Sequence, residues 1–318
     1  MKAPITSLTI FCFCLLIGCN SCTNKPGPKK GLSESKTTIL LNDGTKLTYF
    51  IEGEGYPCIV VTEGELLTNA ISKELKNHFK FIFVNARMNV SDPGDVNKIT
   101  FDVLVDDIDQ IRKALDLNKI CVFGHSVSGL IAFEYARKYP QFTSHVIMNG
   151  TSPVDGQLLD PLCNMYWETN ASKERKEALT KSWSNLSKDS LENLGTSESR
   201  KLKYVLDGPK CFYDYNFRAD SLLKNTYWNA SVWDHIFTKL IPVYDIGKGK
   251  TVDIPVFISQ GKYDFYDPYI AWDSCKSKIP NLSFHVFEKS GHYSLYEEEE
   301  LFRRELIAWF ENTRTRNK

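Results

Sequence analysis

Surplus charge is the first thing this sequence lacks. Lys and Arg together number 39, Asp and Glu together 39, and the formal net charge is zero. A protein that grips a phosphate backbone needs a concentration of Lys and Arg. Neither the total nor any stripe along the chain supplies one, so no nucleic-acid partner is expected. A zinc pattern is missing too. Nine cysteines are present, but no CxxC is matched by a second CxxC or by paired histidines. The chain also lacks a membrane span near its start, because the apolar stretch 8–17 is too short to cross a bilayer as a helix. What remains is ordinary for a globular protein: 42% hydrophobic and 25% charged residues. A length of 318 residues suffices for one large core, or for a core carrying an inserted subdomain.

The short apolar stretch follows Met1-Lys2 and ends in Leu16-Ile17-Gly18-Cys19, the form of a secretory signal. It resembles the lipobox of bacterial lipoproteins. That resemblance implies cleavage before Cys19 and diacylation of its thiol, giving an exported protein anchored by lipid to the cell envelope. Cys22 fits less well, because Cys19 would then occupy a position that needs an aliphatic residue. Residues 20–36 are polar and hold Pro, Gly and Lys, the composition of a flexible tether. The expected order is signal 1–18, tether 19–36, then the folded part. Export permits disulfides. Cys58 and Cys121 sit in apolar runs and read as buried thiols. Cys163 and Cys211 share a middle segment and are candidates for pairing, with connectivity open.

From residue 37 onward, strand and helix patterns alternate. The Asn42-Asp43-Gly44 turn joins two strands of a hairpin. Short apolar runs at 58–62, 81–84, 119–123 and 145–149 predict further strands, as do 255–260 and 282–287. Helical spacing occurs at 101–115, 130–138 and 298–312. Continuous apolar strands separated by helices imply an α/β fold with a largely parallel sheet covered on both faces. The rhythm breaks between 154 and 253, where Trp, Tyr, Lys and Ser abound. This interval predicts a helical insertion, a cap lying over one end of the sheet, between core segments 37–153 and 254–318. Trp167, Trp183, Trp228 and Trp233 read mainly as its core; Trp233 is also the aromatic candidate for touching substrate.

The chemistry concentrates in "CVFGHSVSGLIAFEYARKYP", residues 121–140. A tight strand-to-helix turn forces its central residue into a strained conformation and needs small neighbours. Gly124, Ser128 and Gly129 meet that need around Ser126, and the helix N-terminus behind favours negative charge. Here the chain resembles the α/β-hydrolase family and its G-x-S-x-G nucleophile elbow, with Ser128 in the second glycine position. The resemblance implies an eight-stranded, mostly parallel sheet and a Ser-acid-His chain order. Asp264, in Gly261-x-x-Asp264, follows one late strand, and His292, in Ser290-Gly291-His292, follows the last. The expected triad is Ser126, Asp264 and His292, with Asp267 the runner-up acid. His125 and His285 read as packing residues.

Acyl transfer also needs backbone donors for the tetrahedral oxygen. The family pattern assigns them to Val127 and to the turn after the third strand, here Glu63-Gly64-Glu65, where Glu65 supplies the amide. Glu63 stands in place of the usual histidine. In "NARMNVS", residues 85–91, only Arg87 remains of the family's Asp-x-Arg-Gly-x-Gly, and an Arg87–Glu63 ion pair would compensate. A serine nucleophile disfavours the carboxylate chemistry of dehalogenases and epoxide hydrolases. The insertion and the closing "EKSGHYSLYEEEELFRRELIAWF" are most similar to the proline iminopeptidase-like branch, although its His-Gly-Gly-Pro-Gly run is absent. The implied activity is hydrolysis of small peptides or esters, with no cofactor. Glu63, Glu65 or an acidic group of the insertion would receive a free amine. A carboxylesterase, or a binding protein on the same scaffold, remains the alternative.

Overall fold

Val, Ile and Phe follow one another with little polar interruption in the central strands, and such runs are stable only with both faces covered. The computed structural model describes residues 36–62, 65–153, 156–184, 186, 194, 196–223 and 226–316. Its strands are β1 (Thr37–Leu40), β2 (Lys46–Glu52), β3 (Tyr56–Thr62) and β4 (Phe79–Asn85), then β5 (Ile120–His125), β6 (Thr143–Asn149), β7 (Val256–Gly261) and β8 (Leu282–Phe287). They form one eight-stranded sheet in the order β1-β2-β4-β3-β5-β6-β7-β8. β2 runs antiparallel to both its neighbours, and every other pairing is parallel. β5 and β7 are buried along their whole length.

The core helices before the insertion are α1 (Glu65–Ala70), α2 (Leu75–His78), α3 (Phe101–Ala114) and α4 (Val127–Lys138). Between β6 and β7 lie α5 (Gly156–Asn170), α6 (Lys173–Ser184), α7 (Thr196–Leu206), α8 (Gly208–Cys211) and α9 (Ala230–His235). α10 (Ser294–Glu297) and α11 (Glu299–Arg316) close the chain. α3 starts where Thr100 caps it, its hydroxyl accepting the Val103 N–H at 3.2 Å. Leu104, Ile108 and Ile111 of α3 then share a face with Ile131 of α4 against Leu47, Val61 and Val84. On the other face α11 brings Phe310 to 4.5 Å from Phe79 and Phe302 against Phe123, Phe257 and Phe287. Residues 35–318 make one compact unit, insertion included.

Three expectations meet the structure here. Within the helical insertion expected over 154–253, the stretch 229–246 is not one regular helix but α9, a wide turn at Ile236–Leu240 and a tight one at Ile241–Val243. Pro242 has no N–H with which to continue it. Cys163 and Cys211 are both free thiols. Cys163 donates to the carbonyl of Tyr266 at 2.9 Å, whereas Cys211 is fully buried under the His292 loop. The third concerns Arg87, whose expected partner Glu63 lies outside the described residues. Its five N–H groups go to both oxygens of Asp107, to Asp43, to the Thr45 hydroxyl and to the Pro93 carbonyl. These contacts tie α3 to the β1–β2 turn.

Candidate active site

Ser126 stands alone between the end of β5 and the start of α4. Its φ of 51° and ψ of −129° are unusual for a residue with a side chain, a conformation that costs about 1–3 kcal/mol. Three hydrogen bonds hold it there. The Ser126 N–H donates to the Asn149 carbonyl at 2.9 Å, and its own carbonyl accepts from the Gly129 N–H and the Thr151 hydroxyl. The small neighbours are needed for close approach. A Cβ on Gly124 would lie 2.0 Å from the Ser128 carbonyl oxygen, and one on Gly129 would lie 2.1 Å from the Thr151 hydroxyl. Ser128 fits fully buried in the second glycine position.

The acid–base pair is built from the ends of β7 and β8. Asp264 is fully buried. One of its carboxylate oxygens accepts the N–H groups of Tyr266 and Asp267 at 3.0 and 2.8 Å. This fixes the other, Oδ2, 2.7 Å from Nδ1 of His292. Asp267 reaches the same nitrogen only at 3.8 Å, beyond hydrogen-bond length. Geometry therefore favours Asp264 as the acid. With Nδ1–H donated to a carboxylate, Nε2 is left as the basic nitrogen. Asp264, Asp267 and His292 also place ligand atoms within 4.8 Å of one another, but the bonds just given already engage both oxygens of Asp264 and Nδ1.

Gly150 lets the histidine loop pack closely on the end of β6. It has φ +55°, and a Cβ there would sit 2.4 Å from the His292 carbonyl oxygen and 3.1 Å from Nδ1. The residue before it, Asn149, receives the Ser126 N–H. Ser126 and His292 thus each contact the end of β6, at Asn149 and at Gly150. Asn149 is anchored by donating to the hydroxyls of Ser259 and Ser294. His125 stacks on Tyr293 at 4.2 Å and bonds through Nε2 to the His292 carbonyl. It supports the loop from behind, a packing role as expected. His285 stacks on Phe257 and bonds to Ser283, far from this chemistry in role.

The remaining candidates are placed unevenly. Val127 opens α4 and Glu65 opens α1, and the first amides of a helix have no partner within it. Their strands, β5 and β3, are neighbours, so both helix starts rise from adjacent strand ends. Glu63 lies outside the described residues, as does Cys19. Trp233 is 5% exposed and packs on Phe237 and Trp228, within the core of the insertion. Sequence reasoning missed Asn149, Thr151, Arg175 and Glu297. Each has at least one partner more than 20 residues away, and no local pattern marks such contacts.

A strained serine after β5 and a buried carboxylate–histidine pair after β7 and β8 thus share one largely parallel sheet. Residues 67–299 match the model of the alpha/beta hydrolase fold family. The chain belongs to that family and is a hydrolase of its superfamily, with a small-molecule substrate. Among curated proteins it is 28% identical to the AB hydrolase superfamily protein YclE of Bacillus subtilis, over 86% of this chain and 98% of the relative. It is 24% identical to a proline iminopeptidase of Saccharolobus solfataricus, over 66% of this chain and 68% of that protein. Among solved structures, an alpha/beta fold family hydrolase from Bacillus anthracis superposes with a TM-score of 0.64 at 21% identity. That match covers 88% of this chain and 99% of the other.

Proposed function

We propose that the chain is a serine hydrolase that works through an acyl-enzyme and removes N-terminal residues from small peptides. The observation that carries this reading is the 2.7 Å contact between Asp264 and Nδ1 of His292, beside a serine held in a strained turn. His292 Nε2 takes the proton of the Ser126 hydroxyl as Oγ attacks the substrate carbonyl. Negative charge then develops on the carbonyl oxygen, where the Val127 and Glu65 amides stabilise it. The imidazolium, stabilised by Asp264, protonates the leaving amine. Water repeats the sequence on the acyl-enzyme and restores Ser126. The insertion between β6 and β7 acts as a cap limiting substrate size.

The choice of a peptide substrate rests on the proline iminopeptidase relatives and on the supply of carboxylates. A free amine needs a negative partner. Besides Glu63 and Glu65, the insertion offers Asp207, which accepts the Tyr266 hydroxyl at 2.5 Å; the Tyr266 ring lies 6.2 Å from that of His292. The same scaffold would serve a carboxylesterase if these groups do not face the substrate. Ahead of the folded part, we read Cys19 as the lipid anchor of an exported protein.

The test uses the soluble domain from about residue 36 beside Ser126→Ala. A prolyl arylamide with a free amine is compared with a short-chain acyl ester of similar size. Ser126-dependent preference for the arylamide is the expected result. Ester cleavage alone would convert the reading to a carboxylesterase. Failure of a fluorophosphonate to label Ser126 would remove the catalytic reading altogether.

A further inference from the structure

One stretch of the insertion touches both halves of the acid–base pair through main-chain atoms. The Cys211 carbonyl accepts the His292 N–H at 2.6 Å, and the Lys210 carbonyl accepts the N–H of Phe265, next to Asp264, at 3.0 Å. Contact with the histidine loop is close enough to require glycine. A Cβ on Gly291 would lie 2.2 Å from the Cys211 carbonyl oxygen. Two charged side chains grip this stretch. Arg175 of α6, only 3% exposed, donates to the carbonyls of Pro209, Phe212 and Tyr213 at 2.6–2.7 Å. Its guanidinium also sits over the rings of Tyr215, Tyr263 and Phe265. Among the described residues it makes no ion pair. Glu297 of α10 accepts the Tyr213 N–H at 2.6 Å with one oxygen and the Gly291 N–H at 2.7 Å with the other.

The Phe212–Tyr213 peptide group is therefore held by an arginine at its carbonyl and a glutamate at its N–H. That glutamate also holds the residue before His292. A carboxylate bridging two N–H groups fixes the distance between the segments that carry them. Catalytic geometry tolerates displacements well below an ångström, so this clamp acts on the reaction through His292.

We propose that residues 209–213 form a splint that positions His292 and Asp264, and that Glu297 and Arg175 are the positioning residues that clamp it. This rests on the serine-hydrolase reading for its effect on rate, though not for its effect on the histidine. In Glu297→Gln the side chain keeps its shape, but an amide N–H₂ now opposes one of the two backbone N–H groups. The experiment compares Glu297→Gln with wild type and with Ile111→Val, a core change in α3 that lowers stability away from the site. It reads kcat and KM on the substrate wild type hydrolyses, the urea midpoint, and the low-field proton resonance of His292 Nδ1–H. That resonance is assigned by its loss in His292→Gln.

A fall in kcat of tenfold or more, with KM within twofold and the resonance shifted, is the expected result, while Ile111→Val leaves all three near wild type. A kcat within twofold of wild type and an unmoved resonance overturn the splint. So does a loss that Ile111→Val reproduces at equal stability. If wild type shows no turnover and no fluorophosphonate labelling, the hydrolase reading falls, and the resonance alone still decides the splint. Should Glu297→Gln not fold, Arg175→Lys, which cannot reach three carbonyls, carries the same comparison.

Discussion

At the scale of single residues, the serine is where function and stability oppose each other. Ser126 keeps a side chain at φ 51°, ψ −129°, a conformation glycine adopts without a Cβ clash. Relief of about 1–3 kcal/mol of strain exceeds the roughly 0.5–1 kcal/mol by which glycine's freedom favours the unfolded chain. Ser126→Gly should therefore raise stability by about 1 kcal/mol while abolishing turnover. Ser126→Ala, which retains the Cβ, should abolish turnover without that gain. Urea denaturation of the two variants side by side checks this. A glycine variant no more stable than the alanine variant would show that the turn is unstrained. The same scale explains how Arg87 is held. Burial penalises its charge, so its fork is satisfied completely by Asp107, Asp43, Thr45 and Pro93, and burial also raises the Asp107 carboxyl above its ordinary range.

At the scale of elements, legibility followed the range of the interactions involved. β8 falls on residues 282–287 as expected from its apolar run, and β3–β7 differ from expectation by one or two residues at their ends. These strands are buried on both faces, so their composition alone declares them. The elbow was readable because its constraint is local, with Gly124, Ser128 and Gly129 all within three residues of Ser126. Asp264 and His292 were readable because each follows a strand whose pattern is clear. The splint was not readable. Nothing in "GPKCFY" announces that its carbonyls meet His292, Phe265 and Arg175, since those partners lie 34 to 81 residues away. The end of the helix near Ile241–Val243 was legible in principle from Pro242, which has no N–H to continue it. One element-scale prediction follows from the approach of α4 to β5. Gly124→Ala drives a Cβ to 2.0 Å from a backbone oxygen that belongs to the helix, and backbone cannot rotate away as a side chain can. The strand end and the helix start must separate, at a cost of about 3 kcal/mol or more. A drop in thermal midpoint of under about 2 °C would mean that the elbow has slack.

For the whole molecule, buried titrating groups at opposite ends of the sheet pull stability in opposite directions. Burial raises the Glu297 carboxyl to about 7, against the backbone N–H groups that favour its charged form. Its folded value lies above its unfolded one, so the native state holds an extra proton between about pH 4.5 and 7. That contribution is fully present below pH 4.5 and is lost as pH rises through 7. Burial of His145 beneath Trp309 and Phe310 has the reverse effect, lowering its value to about 4. The unfolded state then binds the extra proton between about pH 4 and 6.5, and stability rises with pH across that window. The two slopes offset each other over most of the mildly acid range, which leaves the loss from Glu297 exposed only as neutrality is approached. Glu297→Gln removes one slope and leaves the other. From pH 4.5 to 7.5 its urea midpoint should gain on that of wild type, by a margin on the order of 2–3 kcal/mol once converted to free energy. A difference between the two proteins that stays constant with pH would mean that Glu297 is ionised throughout. The same variant is expected to lose kcat through the His292 loop. A variant whose stability gains on wild type toward neutrality while its kcat falls would locate the cost of this site in the carboxylate that holds its histidine, rather than in the core beneath it.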